Sequence, residues 1–355
     1  MLLAHRLKYL AAYTIPLTVF LSIYLKGEFS FLALIYAFGF IPFIELFFSG
    51  SEKNLSKVEQ AVVKEDRLYD LFLYGMVPVQ FGLLVYYLFS INAPGLMVYE
   101  QVGMTMSMGI GCGVLGINVA HELGHRQTTF EQNLSKLLLL TSLYMHFFIE
   151  HNRGHHRYVS TDDDPASSRL GESVYAFWIR STIGGWLSAW ILEFDRLEKN
   201  NQPVYSLKNE MLVFQLVQLG FIALIFMVFG WQVLLFFVGA AVFGFLLLET
   251  VNYIEHYGLR RKKKGSRYER TMPAHSWNSN HPIGRLVLFE LSRHSDHHFI
   301  SSRKYQTLRN FEESPQMPTG YPGMMLLTLI PPLWFYVMHK KIDSLRKTAI
   351  GNALA

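Results

Sequence analysis

The sequence predicts an all-α integral membrane protein, with six transmembrane helices and a histidine-rich metal-binding cap on the cytoplasmic side. Of the 355 residues, 51% are hydrophobic and only 17% are charged, whereas soluble domains carry about 25% charged residues. Long apolar segments recur along the chain, and 12 of the 14 histidines lie between His121 and His298. We expect a single membrane domain over residues 1–355.

Six segments are long and apolar enough to form the helix of about 20 residues that crosses a hydrocarbon core. They are 9–25, 29–48, 71–91, 102–120, 211–229 and 231–248. The last two are nearly continuous, but a single helix of their combined length would measure about 57 Å, too long for one crossing. Gly230 is therefore predicted to form a hairpin turn. Two shorter apolar segments are interpreted as re-entrant or interfacial helices: 134–149, and 323–337, which contains two adjacent prolines.

The charge distribution predicts the orientation. All but one of the 32 lysines and arginines lie in the termini and the long connections, and the exception is Lys26. The positive-inside rule then places both termini and the long catalytic segments, 121–210 and 254–355, in the cytoplasm. We expect the cytoplasmic (inner) membrane of a bacterium and no cleavable signal peptide. The pI of 9.1 requires no nucleic acid partner, because the basic run 260–264 can face anionic membrane lipid.

Histidines occur in three clusters, which read HELGH at 121–125, HNRGHH at 151–156 and HSDHH at 294–298. Residues four apart share a helical face, whereas adjacent residues are turned by about 100°. His121 should therefore converge with His125, His151 with His155, and His294 with His298, while His156 and His297 can serve a second ion. Eight imidazoles predict a dinuclear centre of iron, copper, nickel or zinc. The single cysteine, Cys112, excludes a cysteine-ligated cluster.

The clusters follow the predicted spans. His121 comes directly after the fourth span, and His256 lies one to two turns beyond the sixth, on the stripe of Glu249 and Asn252. We take His256 as a ninth ligand candidate. The site should lie at the cytoplasmic mouth of the helical bundle.

The remaining histidines have simpler interpretations. His5, His146 and His339 are isolated, and we interpret them as interfacial residues with hydrogen-bonding partners. His275 and His281 are equally compatible with ligand, capping and ligand-supporting roles. Their roles stay open at this point.

One motif favours a different enzyme. The segment 121–125 matches HExxH, in which Glu122 would be the general base of a zinc metalloprotease. Such a site needs only three protein ligands, so the other histidines would have no role. A non-enzymatic metal-binding membrane protein is a further alternative.

Longer motifs resemble a known family. The segments HELGHR at 121–126, EHNRGHHR at 150–157 with DPASSR at 164–169, NYIEHYG at 252–258 and RHSDHH at 293–298 closely resemble those of the membrane-bound alkane 1-monooxygenases. These are omega-hydroxylases within the fatty acid desaturase and hydroxylase superfamily. The resemblance extends from the first span to about residue 322, with departures at Arg126 and Ser292.

The resemblance implies two non-haem iron ions and the oxidation of medium- or long-chain n-alkanes to 1-alkanols by O2 and two electrons. A fatty acyl desaturase or another membrane di-iron hydroxylase is the alternative. The implied metal ligands are His121, His125, His151, His155, His156, His256, His294, His297 and His298. Carboxylates that could accept the second N–H of these rings are Glu122, Glu249, Glu255 and Asp296.

A long alkane partitions into lipid by about 0.8 kcal/mol per CH2, so it should reach the site from the bilayer. A tunnel between the second and fourth spans would present the chain end first. Its candidate lining residues are Ala33, Ala37, Ile41, Gly109, Gly113 and Gly116. For the three glycines, close helix packing is an equally good interpretation.

The electrons must come from another protein, because the chain has neither a dinucleotide-binding glycine motif nor four cysteines. The resemblance implies rubredoxin, served by a separate rubredoxin reductase. An acidic carrier would dock on a basic surface. The candidate docking residues are Arg260, Arg261, Lys262, Lys263 and Lys264, although membrane lipid competes for them.

Overall fold

The computed structural model describes residues 2–354, with side chains described for residues 5–347, and this part of the chain is almost entirely helical. The longer helices are His5–Leu25, Gly27–Glu45, Lys57–Glu65, Arg67–Ser90, Val98–Gly124, Thr129–Leu140, Val174–Lys199, Glu210–His256, Tyr321–Thr328 and Pro331–Leu354. Short helical segments are Phe147–Ile149, Glu150–His155, His156–Tyr158, Pro273–His275, Pro282–Val287, His294–Phe299 and Tyr305–Thr307. Within the described residues, the strands are one antiparallel pair, Lys263–Lys264 with Arg267–Tyr268.

Five of the described helices are long and apolar enough to cross a membrane, and the fifth of them is Glu210–His256, with 47 residues. Gly230 interrupts that helix, with φ of 82° and ψ of 176°. The rings of Phe221 and Phe237 lie on opposite sides of Gly230 in the sequence, yet their centroids are 5.6 Å apart. The two halves therefore run side by side, which confirms the predicted hairpin turn. Glycine tolerates this backbone conformation because it lacks a Cβ.

Local sequence explains where several helices begin. The side chain of Asp66 accepts from the backbone N–H of Leu68, and the side chains of Ser173 and Asn209 cap their helices in the same way. The helix 321–328 ends three residues before Pro331, which starts the last helix. The proline pair thus interrupts the apolar segment 323–337, as expected.

Small residues bring the 98–124 helix against the second half of the 210–256 helix. A Cβ added to Gly109 would lie 2.6 Å from the ring of Phe243, and one added to Gly244 would lie 2.6 Å from the Cβ of Cys112. A Cβ on Gly116 would lie 2.8 Å from the Thr141 hydroxyl. The contacts of Gly109 and Gly116 therefore support close helix packing as the role of these two glycines.

The 26-residue helix Val174–Lys199 is not among the helices predicted from the sequence. Charged residues interrupt its apolar pattern, so it lacks the signal of a membrane span. One face is exposed and apolar, with Ile179 and Ile191 exposed by 67% and 61%. The opposite face packs beside the histidine segment 150–155 and the 210–256 helix, and Trp178 donates to Thr250 at 3.0 Å.

Candidate metal centre

Five histidines form the first group: His121, His125, His151, His156 and His297. One ring nitrogen from each lies within 4.8 Å of all the others. The Nε2 atoms of His121 and His297 are 2.9 Å apart, and those of His125 and His151 are 3.0 Å apart. Three segments of the chain, 121–125, 151–156 and 294–298, therefore converge on one point.

Four buried histidines form the second group: His155, His256, His294 and His298. The Nε2 atoms of His155 and His298 are 3.2 Å apart, and those of His294 and His256 are 3.3 Å apart. The two groups are neighbours, because the ring centroids of His156 and His298 are only 4.5 Å apart. Together they contain all nine histidines that the sequence proposes as ligands.

One expected pairing is wrong. His151 does not share a group with His155, four residues on, but with His156, five residues on, at 3.1 Å between Nε2 atoms. The cause is local, since Glu150–His155 is a π-helical turn, in which backbone hydrogen bonds join residues five apart instead of four. The other pairings hold: His121 lies with His125, and His294 lies with His298.

The donor geometry fits transition-metal ions. When two nitrogen ligands bind one metal at about 2.1 Å and the N–metal–N angle is a right angle, the nitrogens lie about 3.0 Å apart. The distances between Nε2 atoms in both groups are close to this value. Burial, reinforced by His155, lowers the pKa of His125 to about 3. Burial also holds the pKa values of His151 and His297 well below their usual range. The rings of His125, His151 and His297 are therefore neutral, with lone pairs available to a cation.

Asp164 holds a ring of the second group. Its Oδ2 lies 2.9 Å from His155 Nδ1, and both side chains are completely buried. The carboxylate also accepts from the hydroxyl of Ser167 and the backbone N–H of Ala166. Burial opposes ionisation, but the neighbouring His155 ring keeps the pKa of Asp164 below its usual value. Asp164 is not among the carboxylates predicted from the sequence, although it begins the DPASSR motif, which was the available signal.

Glu255 is the one predicted carboxylate that reaches a histidine nitrogen. Its Oε2 lies 3.1 Å from His294 Nε2, the same atom that faces His256. Its Oε1 accepts from the hydroxyl of Tyr321 at 2.7 Å. Glu255 therefore stands beside the convergence point of the second group, not behind a ring.

The other three predicted carboxylates make different contacts. Among the described residues, none of the three bonds to a histidine ring. Glu122 pairs with Arg126, Glu249 accepts from Tyr144 and Ser181, and Asp296 pairs with Arg303 and Arg309. These contacts stabilise the segments that carry the histidines. The prediction that Glu122, Glu249 and Asp296 accept the ring N–H groups is therefore wrong.

An apolar cavity of about 80 Å³ reaches both groups, since His121, His151 and His294 line it. Three of the predicted substrate-binding residues also line it: Ala37, Ile41 and Gly113. The fourth, Ala33, is buried but lies outside the lining. Its side chain therefore contributes to helix packing.

A second apolar cavity, of about 270 Å³, adjoins the first. Phe38, Leu247 and Met325 line both cavities, so they form the wall between them. On the far side the lining includes Leu326 and Leu329, which are exposed by 39% and 42%. The larger cavity therefore extends toward the apolar outer surface of the bundle.

Five histidines lie outside both groups. His5 bonds to Tyr69, and His339 bonds to Tyr257, as expected of interfacial residues with partners. His146 is buried beside Tyr144.

The sequence left the roles of two histidines open. His275 accepts from the backbone N–H of Met272, which is a capping contact, and His281 lies 3.0 Å from the Ser279 hydroxyl.

The basic run 260–264 divides into two parts. Arg260 and Arg261 are hydrogen-bonded to backbone carbonyls, those of Arg157 and Val159 in the case of Arg261. Lys262, Lys263 and Lys264 are exposed in and before the short hairpin. Of the five basic residues, only the three lysines are exposed, and the ammonium group of Lys263 lies over the ring of Tyr268.

Comparison with known proteins agrees with this geometry. The family profile of fatty acid desaturases matches residues 98–339. The alkane 1-monooxygenase of Ectopseudomonas oleovorans is 40% identical over 92% of this chain and 83% of its own length. Alkane 1-monooxygenase 1 of Pseudomonas aeruginosa is 42% identical over 88% and 83%, respectively.

A more distant relative is the xylene/toluene monooxygenase hydroxylase component XylM of Pseudomonas putida, 28% identical over 76% of this chain and 73% of its own length. The relatives are thus monooxygenases, and the first two match nearly the whole chain. The fold, the two histidine groups and these similarities together show that the chain belongs to the alkane 1-monooxygenase family, within the fatty acid desaturase family.

Proposed function

We propose that this chain is a membrane alkane 1-monooxygenase that converts the terminal methyl group of medium- or long-chain n-alkanes to a primary alcohol. The observation that carries this function is the apolar cavity that ends on His121, His151 and His294. A C–H bond of an alkane has neither an acidic proton nor a leaving group, so acid–base or nucleophilic groups alone cannot start the reaction.

The nine histidines would hold two iron ions, five ligands for one and four for the other. Nitrogen ligation suits iron, and neutral imidazoles bind it without adding charge. When bound, the irons supply the activation of O2, so that RH, O2, two electrons and two protons give ROH and water. Glu255 stands where its carboxylate can complete the smaller ligand set, and Tyr321 fixes its orientation by donating to it.

The chain itself supplies binding, orientation and exclusion of water. Apolar side chains dominate the cavity wall around the histidines, and Ala37 leaves room for a methylene chain between the helices. A chain that enters end first presents its methyl group to the histidines. Terminal oxidation would then follow from this end-first entry and would need no polar recognition of the substrate.

The substrate would come from the bilayer. The larger cavity adjoins exposed apolar side chains and is separated from the smaller one by Phe38, Leu247 and Met325. Transfer of an alkane from lipid into such a cavity exposes little apolar surface to water. We assign the larger cavity as the vestibule and the smaller one as the reaction chamber.

The proposal includes six transmembrane helices in the cytoplasmic membrane of a bacterium, with both termini and the histidines on the cytoplasmic side. Four single helices and the two halves of the 210–256 helix support this number. The concentration of lysine and arginine in the termini and long connections supports the orientation.

Rubredoxin is the proposed electron donor, reduced by a separate reductase. The exposed lysines 262–264 are the part of the basic run that an acidic carrier can contact. Arg260 and Arg261 instead support the segment that follows His155 and His156.

One experiment tests the function against its alternatives. The purified protein is analysed for metal and then incubated with an n-alkane, O2, rubredoxin and its reductase, with an anaerobic control. We expect two irons per chain and an O2-dependent 1-alkanol. An alkene would indicate a desaturase, bound zinc with peptide cleavage would indicate a protease, and bound metal without turnover would indicate a binding protein.

A further inference from the structure

A third cavity, of about 330 Å³, is polar and lies apart from the two apolar ones. Four basic side chains line it, whereas only two carboxylates do. The basic residues are Lys8, Lys53, Arg285 and Arg293, and the acidic ones are Glu59 and Glu290. The cavity therefore has an excess of positive charge that nothing in the alkane chemistry uses.

The internal pairings leave part of that charge available. Glu290 is buried and shared between Arg285, at 2.7 Å, and Lys8, at 3.4 Å. Arg293 is held by backbone carbonyls, including that of Leu308. The Lys53 side chain is exposed, and its ammonium group forms no hydrogen bond or ion pair with the described residues. The ammonium groups of Lys8 and Lys53 are thus the cations that a ligand can engage.

The surroundings of the cavity are those of a lipid–water boundary. Leu7 and Leu10, on either side of Lys8 in the first apolar helix, are exposed by 45% and 48%. Phe47 and Phe48, which precede the loop that carries Lys53, are exposed by 70% and 54%. Such large apolar side chains face acyl chains in a membrane protein, while the adjacent ammonium groups face the headgroups.

We propose that this polar cavity binds the phosphate group of an anionic phospholipid. The phosphate would lie between the ammonium groups of Lys8 and Lys53, with Arg285 behind them, and the acyl chains would run along the exposed apolar residues. Basic pockets between membrane helices bind anionic headgroups in this way.

The position of the cavity gives the lipid a structural role. Arg285, Glu290 and Arg293 belong to the segment that leads directly into His294, and Arg293 also bonds to the carbonyls of Ser51 and Lys53. A phosphate that neutralises the excess charge would tighten the contact between the 51–55 loop and this segment. Lipid binding would therefore stabilise the segment that carries the third histidine cluster.

The test uses the full chain in a zwitterionic detergent, titrated with short-chain phosphatidylglycerol. Bound lipid is counted by native mass spectrometry, and the thermal unfolding midpoint is followed in parallel. We expect saturable binding that raises the midpoint, and no comparable effect of phosphatidylcholine. Because each basic residue near an anionic surface contributes about 1 kcal/mol, Lys53→Gln should weaken binding about fivefold.

Lys57→Gln is the matched control, since Lys57 is exposed on the neighbouring helix and does not line the cavity. Equal affinities of the two variants would overturn the site, as would equal binding of phosphatidylcholine. Inorganic phosphate is the remaining comparison. If it raised the unfolding midpoint at the same concentration as the lipid, and if Lys53→Gln weakened its effect equally, the site would bind phosphate and its assignment to lipid would be overturned. The Lys53 variant is preferred to one at Lys8, because Lys8 contacts buried Glu290.

Discussion

The carboxylate of Asp164 lies 2.9 Å from Nδ1 of His155, and neither side chain is exposed. This contact leaves Nε2 of His155 directed at His298, 3.2 Å away in the second histidine group. A carboxylate behind a ligand ring fixes the orientation of the ring and raises its basicity. The loop that follows the second histidine cluster is thus part of the candidate metal centre.

Asp164→Asn should weaken metal binding at the second group about 10- to 100-fold, because the orienting carboxylate is lost. The measurement is the iron content after dialysis against a graded series of chelator concentrations. Asp163→Asn is the control, since Asp163 is exposed in the same loop. Equal iron retention in the two variants would show that Asp164 does not support the metal.

Ala37→Trp should shift the product profile toward shorter alkanes, because the indole would occupy part of the cavity that Ala37 lines. Alcohol yields are compared across a series of chain lengths. Ile35→Trp is the control on the same helix, since Ile35 is exposed by 58% and faces away from the cavity. Unchanged profiles in Ala37→Trp would count against a substrate chamber at this position.

Gly244→Ala should destabilise the protein by about 1–3 kcal/mol, the range typical of overpacking. The new methyl group would lie 2.6 Å from Cys112 Cβ and 3.0 Å from the carbonyl oxygen of Gly109, so the two helices would have to separate. Thermal unfolding in detergent provides the measurement. Gly220→Ala should change little, because nothing lies within 4 Å of that added methyl group.

Glu290 should make stability depend on pH in the acid range. Burial opposes its ionisation, but Arg285 and Lys8 lower the pKa of Glu290 to about 2. Because its pKa is lower in the folded protein, ionised Glu290 adds about 3 kcal/mol to the free energy of unfolding. This contribution is complete above the pKa of the unfolded state, about 4.5, and is lost as the pH falls toward 2. Unfolding midpoints measured from pH 7 to pH 3 should therefore fall more steeply in the wild type than in Glu290→Gln. Parallel curves would contradict the prediction.

Lys263→Glu should slow turnover with rubredoxin at low salt, because it reverses a charge on the exposed part of the basic run. The rate is measured with rubredoxin limiting, over a range of salt concentrations. Lys199→Glu makes the same charge change on another exposed surface and should have a smaller effect. A wild-type rate that is insensitive to salt would argue against electrostatic docking.

The sequence by itself determined the helical membrane architecture, the turn at Gly230 and the set of nine histidines. These features depend on local patterns: apolar length, a glycine between two spans, and clusters of one residue type. The same patterns could not assign a role to Asp164, because the path of a loop brings it to its partner. They also could not predict the Val174–Lys199 helix, because charged residues interrupt its apolar pattern.

Only the tertiary structure decided how the histidines divide into two groups. Regular helix spacing pairs His151 with His155, but the π-helical turn over 150–155 pairs His151 with His156 instead. Tertiary packing also directed Glu122 toward Arg126 and Glu255 toward His294. The physical reason is that composition and spacing fix which groups are available, whereas the partner of a buried polar group depends on the segments that pack around it.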